Sequence, residues 1–120
     1  MRSNKTEGAF VYVLTCGDGS LYTGWTDDLP RRLASHGRGR ASKYTRSRLP
    51  VRLLAWLAFE DAAAARSFEA HFKQLTRREK LAAIEARQAF GMRVHKAPAA
   101  TLEEYGAYAP SALRELLCLP

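Results

Sequence analysis

Five polar side chains spread over the first 70 residues have the types that hydrolysis of a phosphodiester requires. They are two tyrosines, an arginine, a histidine and a glutamate: Tyr12, Tyr22, Arg32, His36 and Glu69. Such a reaction needs a group that deprotonates or orients water, positive charge for the transition state, and stabilisation of the leaving oxygen. A tyrosine or histidine can act on the water, an arginine can balance charge, and a carboxylate can hold a divalent ion.

Each of these residues also has an ordinary structural explanation. A strand tyrosine usually packs in the core, and its pKa of about 10 makes it a poor base unless positive charge or a metal is near. An arginine on a helix is usually solvated, and a histidine such as His36 suits the end of a helix. Glu69 could pair with Lys73 one turn later. The prediction of a site therefore depends on co-occurrence and order rather than on any single residue.

The two tyrosines are predicted to lie on neighbouring strands of a hairpin. Residues 10–15 and 21–25 are rich in strand formers, and the turn between them contains Gly and Asp. A three-residue loop places Tyr12 opposite Gly24, with Tyr12 and Tyr22 on one face of the sheet. A two-residue loop at Asp18-Gly19 places the tyrosines on opposite faces, because a slip of one residue inverts a strand. A shared tyrosine site requires the first register or a bulged equivalent.

A helix is predicted directly after the hairpin. Its candidate N-caps are Thr26, Asp27 and Asp28, Pro30 suits the first turn, and Gly37 ends it. Leu29 and Leu33 mark the buried stripe. Arg32 and His36 are four residues apart and flank this stripe. A site beside the sheet could therefore use both.

The remaining pattern predicts one more strand and two more helices. Residues 51–59 form an apolar run typical of a buried strand. Residues 62–75 are predicted to be a helix capped by Asp61, and a capping box at 76–79 opens a third helix that ends near residue 90. The expected fold class is α/β of the α+β type. It has a small, mainly antiparallel three-stranded sheet packed by about three helices, plus a C-terminal extension.

The charge of the chain favours a polyanionic partner. The formal net charge is +7, and residues 1–90 hold 16 Lys and Arg against 9 Asp and Glu. Residues 37–50 contain five cations and no acid, and their Gly, Ser and Pro content predicts a loop. Nucleic acid is the first partner to consider, although solubility alone is an alternative reason for such charge.

Composition also restricts the class of protein. Two cysteines at opposite ends of the sequence do not have the spacing of a zinc site, so two ordinary thiols are expected. No apolar run has the length of a membrane span, and the polar start lacks the apolar middle of a signal peptide. A chain of 120 residues is expected to form one cytoplasmic domain.

The order of these motifs resembles the GIY-YIG nuclease family, in particular its small stand-alone (YhbQ-like) members. Phe10-Val11-Tyr12 stands where G-I-Y is expected and keeps only the tyrosine, whereas Tyr22-Thr23-Gly24 matches Y-x-G. The pattern D-L-x-x-R-x-x-x-H is met by residues 28–36, and A-x-x-x-E-x-x-x-K by residues 65–73. Residues 43–53, KYTRSRLPVRL, also look like those members. Trp25 departs from the family, some of whose members have a lysine at that position.

The resemblance implies a metal-dependent nuclease that hydrolyses DNA and selects structure rather than sequence, with DNA repair or processing as its expected setting. Tyr22 or Tyr12 would deprotonate or orient water, and Arg32 would stabilise the phosphorane with assistance from His36. Glu69 would bind one Mg²⁺ or Mn²⁺ ion, and Gly24 would leave space for Tyr12. The nuclease-like domain would cover residues 9–90.

The expected contacts to nucleic acid lie in the basic segment: Arg38, Arg40, Lys43, Tyr44, Arg46 and Arg48. The cations would neutralise phosphates of DNA, or of RNA, without reading sequence, and Tyr44 would stack on an exposed base. Two other hypotheses remain open. The chain could be a basic binding module of the same fold that lacks catalysis. Residues 91–120, predicted as an extension that packs on the domain, could instead form a homodimer or partner interface. The first eight residues are expected to be flexible.

Overall fold

The fold combines an antiparallel sheet with helices on both of its faces. The computed structural model describes residues 8–89 and 94–96, with side chains described for 8–86. The elements in chain order are β1 (Ala9–Thr15), β2 (Leu21–Thr26), α1 (Leu29–Gly37), α2 (Lys43–Arg46), β3 (Arg52–Phe59), α3 (Ala62–Phe72), α4 (Arg77–Ala89) and β4 (Val94–Lys96). The order of strands in the sheet is β2-β1-β3-β4, and every neighbouring pair is antiparallel. The predicted fold class is confirmed.

The hairpin of β1 and β2 has the register that a shared tyrosine site requires. Tyr12 lies opposite Gly24, and the Cys16 amide donates to the Ser20 carbonyl at 2.9 Å across a three-residue loop. Gly19 adopts a φ of +85°, a left-handed conformation that favours glycine. The two-residue alternative is therefore wrong. The residue that pairs with Ser20 is Cys16, directly after β1, whereas a two-residue loop would pair Ser20 with Gly17.

Alternation along the strands divides the core into two sides. On one side, Tyr12 and Leu14 of β1 pack with Leu29 and Leu33 of α1, as the helical spacing predicts. On the other side, Val13 of β1 packs with residues of α3 and α4. The sheet therefore holds its tyrosine-bearing face against α1, and this arrangement places the candidate site.

Helix boundaries follow the predicted caps closely. Asp28 caps α1 through a bond from the Arg31 amide, and Asp61 caps α3. The capping box is present, since Glu79 accepts from the Thr76 amide while the Thr76 hydroxyl accepts from the Glu79 amide. α3 ends at Phe72, three residues before its predicted end.

Two elements were not predicted. The basic segment is not a simple loop, because Ser42 caps the short helix α2 within it. The sheet contains a fourth strand, β4, besides the three that were predicted. It pairs with β3 and comes from the predicted extension. Residues 97–120, including the proposed dimer face, and the first seven residues lie outside the described residues. In the described part, no helix is long and apolar enough to cross a membrane.

Candidate active site

Tyr12 forms the buried centre of the candidate site. It lies in the middle of β1 and is fully buried. Its ring passes over Gly24, where an added Cβ would lie 2.6 Å from the Tyr12 hydroxyl oxygen. Even alanine at position 24 would therefore displace the ring. The glycine of the Y-x-G motif thus provides space for the first tyrosine.

His36 forms a hydrogen bond with the Tyr12 hydroxyl on the side of the sheet that packs against α1. The Tyr12 oxygen lies 2.8 Å from His36 Nε2, and His36 Nδ1 lies 3.0 Å from the Thr45 hydroxyl. The Thr45 hydroxyl donates to the Ser42 carbonyl at 3.3 Å, so its oxygen is free to accept from Nδ1–H. Nε2 then carries no proton and accepts from Tyr12. His36 is fully buried, not at the margin of a stripe as its spacing suggested.

Thr45 is the residue of this site that sequence reasoning missed. It lies on α2, is fully buried, and is nine residues from His36 in the chain. The sequence signal available for it was the Ser42 cap, because a cap at 42 predicts a helical turn through 45. That turn presents Thr45 to His36.

The two buried groups are held in their neutral forms. Burial, and next the charge of Arg32, lower the pKa of His36 to about 4. Burial raises the pKa of Tyr12 above its usual value, the Tyr22 hydroxyl and Glu69 raise it further, and Arg32 opposes the shift through its charge and a hydrogen bond. Neutral imidazole and protonated phenol match the hydrogen-bond directions deduced from Thr45.

Acid is expected to destabilise the fold through His36. Because its pKa falls from 6.5 to about 4 on folding, the unfolded chain binds more protons between these pH values. Stability should therefore fall as pH is lowered from 6.5 to 4, by up to roughly 3 kcal/mol from this group. Urea unfolding at pH 4.5, 5.5, 6.5 and 7.5 measures the slope. His36→Gln should reduce it, whereas His71→Gln, a change at an exposed histidine of α3, should not. Equal slopes in all three proteins would contradict this account.

Tyr22 lies between the buried pair and solvent. It is half-buried, and its ring centroid is 6.4 Å from Tyr12, 5.4 Å from His36 and 5.9 Å from Tyr44. It also lines a cleft of about 270 Å³ at the edge of the sheet. Of the two predicted tyrosines, Tyr22 is the one that a bound water can reach.

Arg32 and Glu69 complete the set of predicted residues. Both act electrostatically on the Tyr12 hydroxyl, and Arg32 also acts on His36. Glu69 lies on α3 with its side chain 16% exposed, and its Oε2 is 3.4 Å from Lys73 Nζ. The structure therefore brings all five predicted residues into one neighbourhood, although they come from four different elements.

The residues near the site could hold a hard cation that has one protein ligand and otherwise binds water and substrate oxygens. Among the described residues no group of three or more His, Cys, Asp or Glu could enclose a metal ion. Glu69 supplies a single, largely buried carboxylate. One carboxylate with water and phosphate oxygens is a normal environment for Mg²⁺. The residues present therefore fit one such ion at Glu69 and do not fit a two-metal centre.

The basic segment is more structured than a DNA-binding loop would require. Arg48 Nε lies 3.0 Å from an Asp18 carboxylate oxygen, and its guanidinium lies 3.7 Å from the centroid of the Tyr44 ring. The Tyr44 hydroxyl donates to the Ser20 hydroxyl at 2.8 Å. These contacts connect α2 to the hairpin turn. Arg48 and Tyr44 thus already have intramolecular partners. A DNA base that stacked on the ring face of Tyr44 covered by Arg48 would have to displace Arg48, whereas the part of Tyr44 that lines the cleft stays accessible.

The other predicted cations are more accessible. Four of them have exposed side chains: Arg38, Arg40, Lys43 and Arg46. They follow α1 and occupy α2, on the same segment that supplies Thr45. A phosphate backbone bound there would lie near the helix that orients His36.

The GIY-YIG catalytic domain matches residues 8–82. The chain belongs to the GIY-YIG family. This is a family of endonucleases that act on DNA and generally depend on a divalent metal ion. The matched residues of this GIY-YIG chain contain every residue of the candidate site.

The relatives of this GIY-YIG chain are small proteins. A UPF0213 protein of Streptococcus agalactiae serotype V is 53% identical over 77 residues, 64% of this chain and 88% of the relative. A UPF0213 protein of Streptococcus pyogenes serotype M5 is 52% identical over 84 residues, 69% of this chain and 91% of the relative. The resemblance to the small single-domain members is confirmed.

A solution structure of a UPF0213 protein from Bacillus halodurans is also similar. It is 43% identical, and the match covers 66% of this chain and 84% of that one, with a TM-score of 0.45.

Proposed function

We propose that this protein is a metal-dependent DNA endonuclease whose active site comprises Tyr12, Tyr22, Arg32, His36 and Glu69. The observation that carries the proposal is their assembly around one buried Tyr12–His36 hydrogen bond of 2.8 Å within a GIY-YIG domain. Tyr12 is hydrogen-bonded to His36, and the charges of Arg32 and Glu69 both act on its hydroxyl. The proposal includes a cytoplasmic location and a role in DNA repair or processing.

Tyr22 is the group proposed to contact the attacking water. Its ring is half-buried and lines the open cleft. Tyr12 is fully buried, and its proton is directed to His36. A general base must reach the proton that it removes, so Tyr22 suits deprotonation or orientation of water. To act as the base, Tyr22 first gives its hydroxyl proton to solvent, and the resulting phenolate then takes the proton of the attacking water. Arg32 supplies positive charge for this phenolate and for the phosphorane.

Tyr12, His36 and Thr45 act as positioning residues in this proposal. The chain of hydrogen bonds from Tyr12 through His36 to Thr45 ends on the Ser42 carbonyl of α2. Each member is fully buried among its partners, so the Tyr12 ring has one orientation. Because Tyr22 packs against both Tyr12 and His36, the same network holds the reactive tyrosine.

Glu69 is proposed to hold one Mg²⁺ or Mn²⁺ ion. When bound, the ion would supply Lewis acidity to the phosphate and stabilise the leaving oxygen. The chain's own contribution is a largely buried carboxylate whose charge is shared with Lys73. Substrate phosphates would approach over the exposed cations at 38, 40, 43 and 46, which neutralise charge without reading bases.

A cleavage assay with labelled DNA tests this proposal. Purified protein is incubated with single-stranded, flapped and fully paired DNA in Mg²⁺ and, in parallel, in EDTA. The expected result is cleavage in Mg²⁺ and binding without cleavage in EDTA. Binding that is never followed by cleavage in Mg²⁺ or Mn²⁺, and that Glu69→Ala leaves unchanged, would support the alternative of a catalytically inactive binding module. Copurifying nuclease is controlled by assaying Arg32→Ala prepared in parallel.

Thr45→Val tests the positioning network. Valine has nearly the shape of threonine but leaves His36 Nδ1–H buried without its partner, which costs about 1–3 kcal/mol. We expect a lower kcat with KM little changed, and partial rescue by Thr45→Ser, which restores a hydroxyl. Thr23→Val is the matched control for stability, because among residues 8–86 the Thr23 hydroxyl is buried without a hydrogen-bond partner. Similar losses of stability in both valine variants would show that the bond to His36 is not what matters.

A further inference from the structure

A cleft of about 270 Å³ opens at the outer edge of β2, next to the contacting rings of Tyr12, Tyr22 and Tyr44. Its lining comes from β2, α2, the end of α3 and the beginning of α4: Leu21, Tyr22, Thr23, Tyr44, Lys73 and Lys80. Tyr22 belongs both to this cleft and to the candidate active site, and Lys73 is the ion-pair partner of Glu69. A molecule in the cleft would therefore lie beside the proposed reacting phosphate.

The two lysines give the cleft an excess of positive charge. Lys73 is exposed and has Glu69 as its partner, but within the described side chains no ion pair joins Lys80 to a carboxylate. Lys80 is half-buried with its Nζ 6.0 Å from the Phe72 ring centroid. Burial and the nearby charge of Lys73 lower the pKa of Lys80. A partly desolvated lysine beside a like charge is unfavourable unless an anion compensates it.

The two tyrosines that line the cleft indicate what kind of molecule carries the anion. Tyr22 and Tyr44 stack with an interplanar angle of 29° and line the same space as the lysines. Aromatic side chains next to cations are typical of sites for unpaired nucleotides, since every base has a π-face. The volume lies just below the usual range for small-molecule pockets, which is about 300–1,000 Å³. A space of this size suits one nucleotide, not a base pair.

We propose that this cleft binds one unpaired nucleotide adjoining the cleaved phosphodiester, with Lys80 and Lys73 contacting its phosphate and Tyr22 and Tyr44 contacting its base. The inference rests on the proposed function and specifies its substrate class. Substrates with an unpaired nucleotide at the cut, such as single strands, flaps or overhangs, are preferred over blunt duplex. Selectivity for DNA structure then resides within the GIY-YIG domain itself.

Binding in EDTA tests the cleft apart from catalysis. Fluorescence anisotropy with a labelled single strand and with a blunt duplex of the same sequence compares the native protein with Lys80→Gln and Lys80→Arg. Arg78→Gln is the matched control, because it removes one charge from an exposed position of the same helix that does not line the cleft. For Lys80→Gln we expect about tenfold weaker binding of the single strand, and a salt slope (log K against log salt) smaller by about 0.7.

The pattern across variants decides the outcome. Lys80→Arg should retain the affinity of the native protein, and Arg78→Gln should leave the salt slope unchanged. Binding of the blunt duplex should change by less than about twofold with Lys80→Gln, because its ends offer no unpaired nucleotide. Equal losses of affinity with Lys80→Gln and Arg78→Gln, or equal losses of affinity for both DNA forms, would overturn the proposal. They would show that Lys80 attracts DNA only through nonspecific charge.

Failure of the proposed function has a different signature. If the native protein cleaves no DNA in Mg²⁺ or Mn²⁺ but Lys80→Gln weakens single-strand binding selectively, the cleft is a binding site without a nuclease. If cleavage proceeds and is indifferent to Lys80 on every substrate, the nuclease proposal stands and the cleft proposal falls.

Discussion

Tyr22→Phe should reduce DNA cleavage by roughly 10²- to 10⁴-fold, the usual contribution of a positioned general base. The change removes only the hydroxyl of this cleft-lining residue, while the ring remains to pack against His36 and Tyr44. Stability and DNA binding in EDTA should therefore stay close to those of the native protein. Single-turnover cleavage rates at saturating Mg²⁺ measure the effect on the chemical step.

Tyr12→Phe provides the matched comparison, because it removes a hydroxyl from the neighbouring strand. That hydroxyl is buried and donates to His36 Nε2, and its loss leaves a buried acceptor unpaired at a cost of about 1–3 kcal/mol. We expect a clear loss of stability with a smaller loss of rate than in Tyr22→Phe. The reverse order of rates would transfer the water-contacting role to Tyr12. If both variants kept the full rate, no tyrosine mechanism would hold.

Glu69→Gln should nearly abolish cleavage while leaving DNA bound. Glutamine keeps the shape of the side chain but removes the charge that a hard cation requires, and a loss of at least about 10²-fold is expected where a metal supplies the leaving-group stabilisation. Binding in EDTA should be equal or slightly tighter, because one negative charge has gone from beside the phosphate path. Raising Mg²⁺ or Mn²⁺ should recover little activity.

The ion pair between Glu69 and Lys73 cannot account for a loss of that size. It is a pair one helical turn apart with Lys73 half exposed, and such pairs contribute about 0.3–0.5 kcal/mol. Glu85→Gln, at an exposed position of α4, is the control for the same chemical change elsewhere. Full activity of Glu69→Gln at low Mg²⁺ would remove Glu69 from the metal site and leave its pairing with Lys73 as its only role.

Much of the fold followed from local patterns in the sequence. The caps at Asp28 and Asp61 and the capping box at Thr76 are short-range interactions, and the helices begin where these residues predict. Leu29 and Leu33 are buried as their spacing indicates. Prediction was less complete where an element forms only by pairing with a strand that is distant in the sequence. β4 is three residues long and exists by pairing with β3, so its own pattern is too short to detect.

The candidate site divides in the same way. The types and order of Tyr12, Tyr22, Arg32, His36 and Glu69 were sufficient to propose a nuclease, because Y-x-G and the later motifs are short spacings along the chain. The register of the hairpin remained open between two turns, since Asp18-Gly19 suits both. The contact of the turn with the residue that follows α2 and its cap, Arg48 with Asp18, belongs to the three-residue loop that forms.

The sequence by itself therefore determined the family, the basic character and the residues available for chemistry, because residue types and short spacings are written in the chain. Only the tertiary structure decided how exposed each of those residues is. It buried His36 and Tyr12 against each other, placed Thr45 behind them, left Tyr22 at the cleft, and gave Arg48 an intramolecular partner. The physical reason is that burial and hydrogen-bond partners come from distant segments. These partners shift the pKa values of Tyr12 and His36 and keep both side chains from solvent. They are the basis for proposing positioning roles for these two residues and a reacting role for Tyr22.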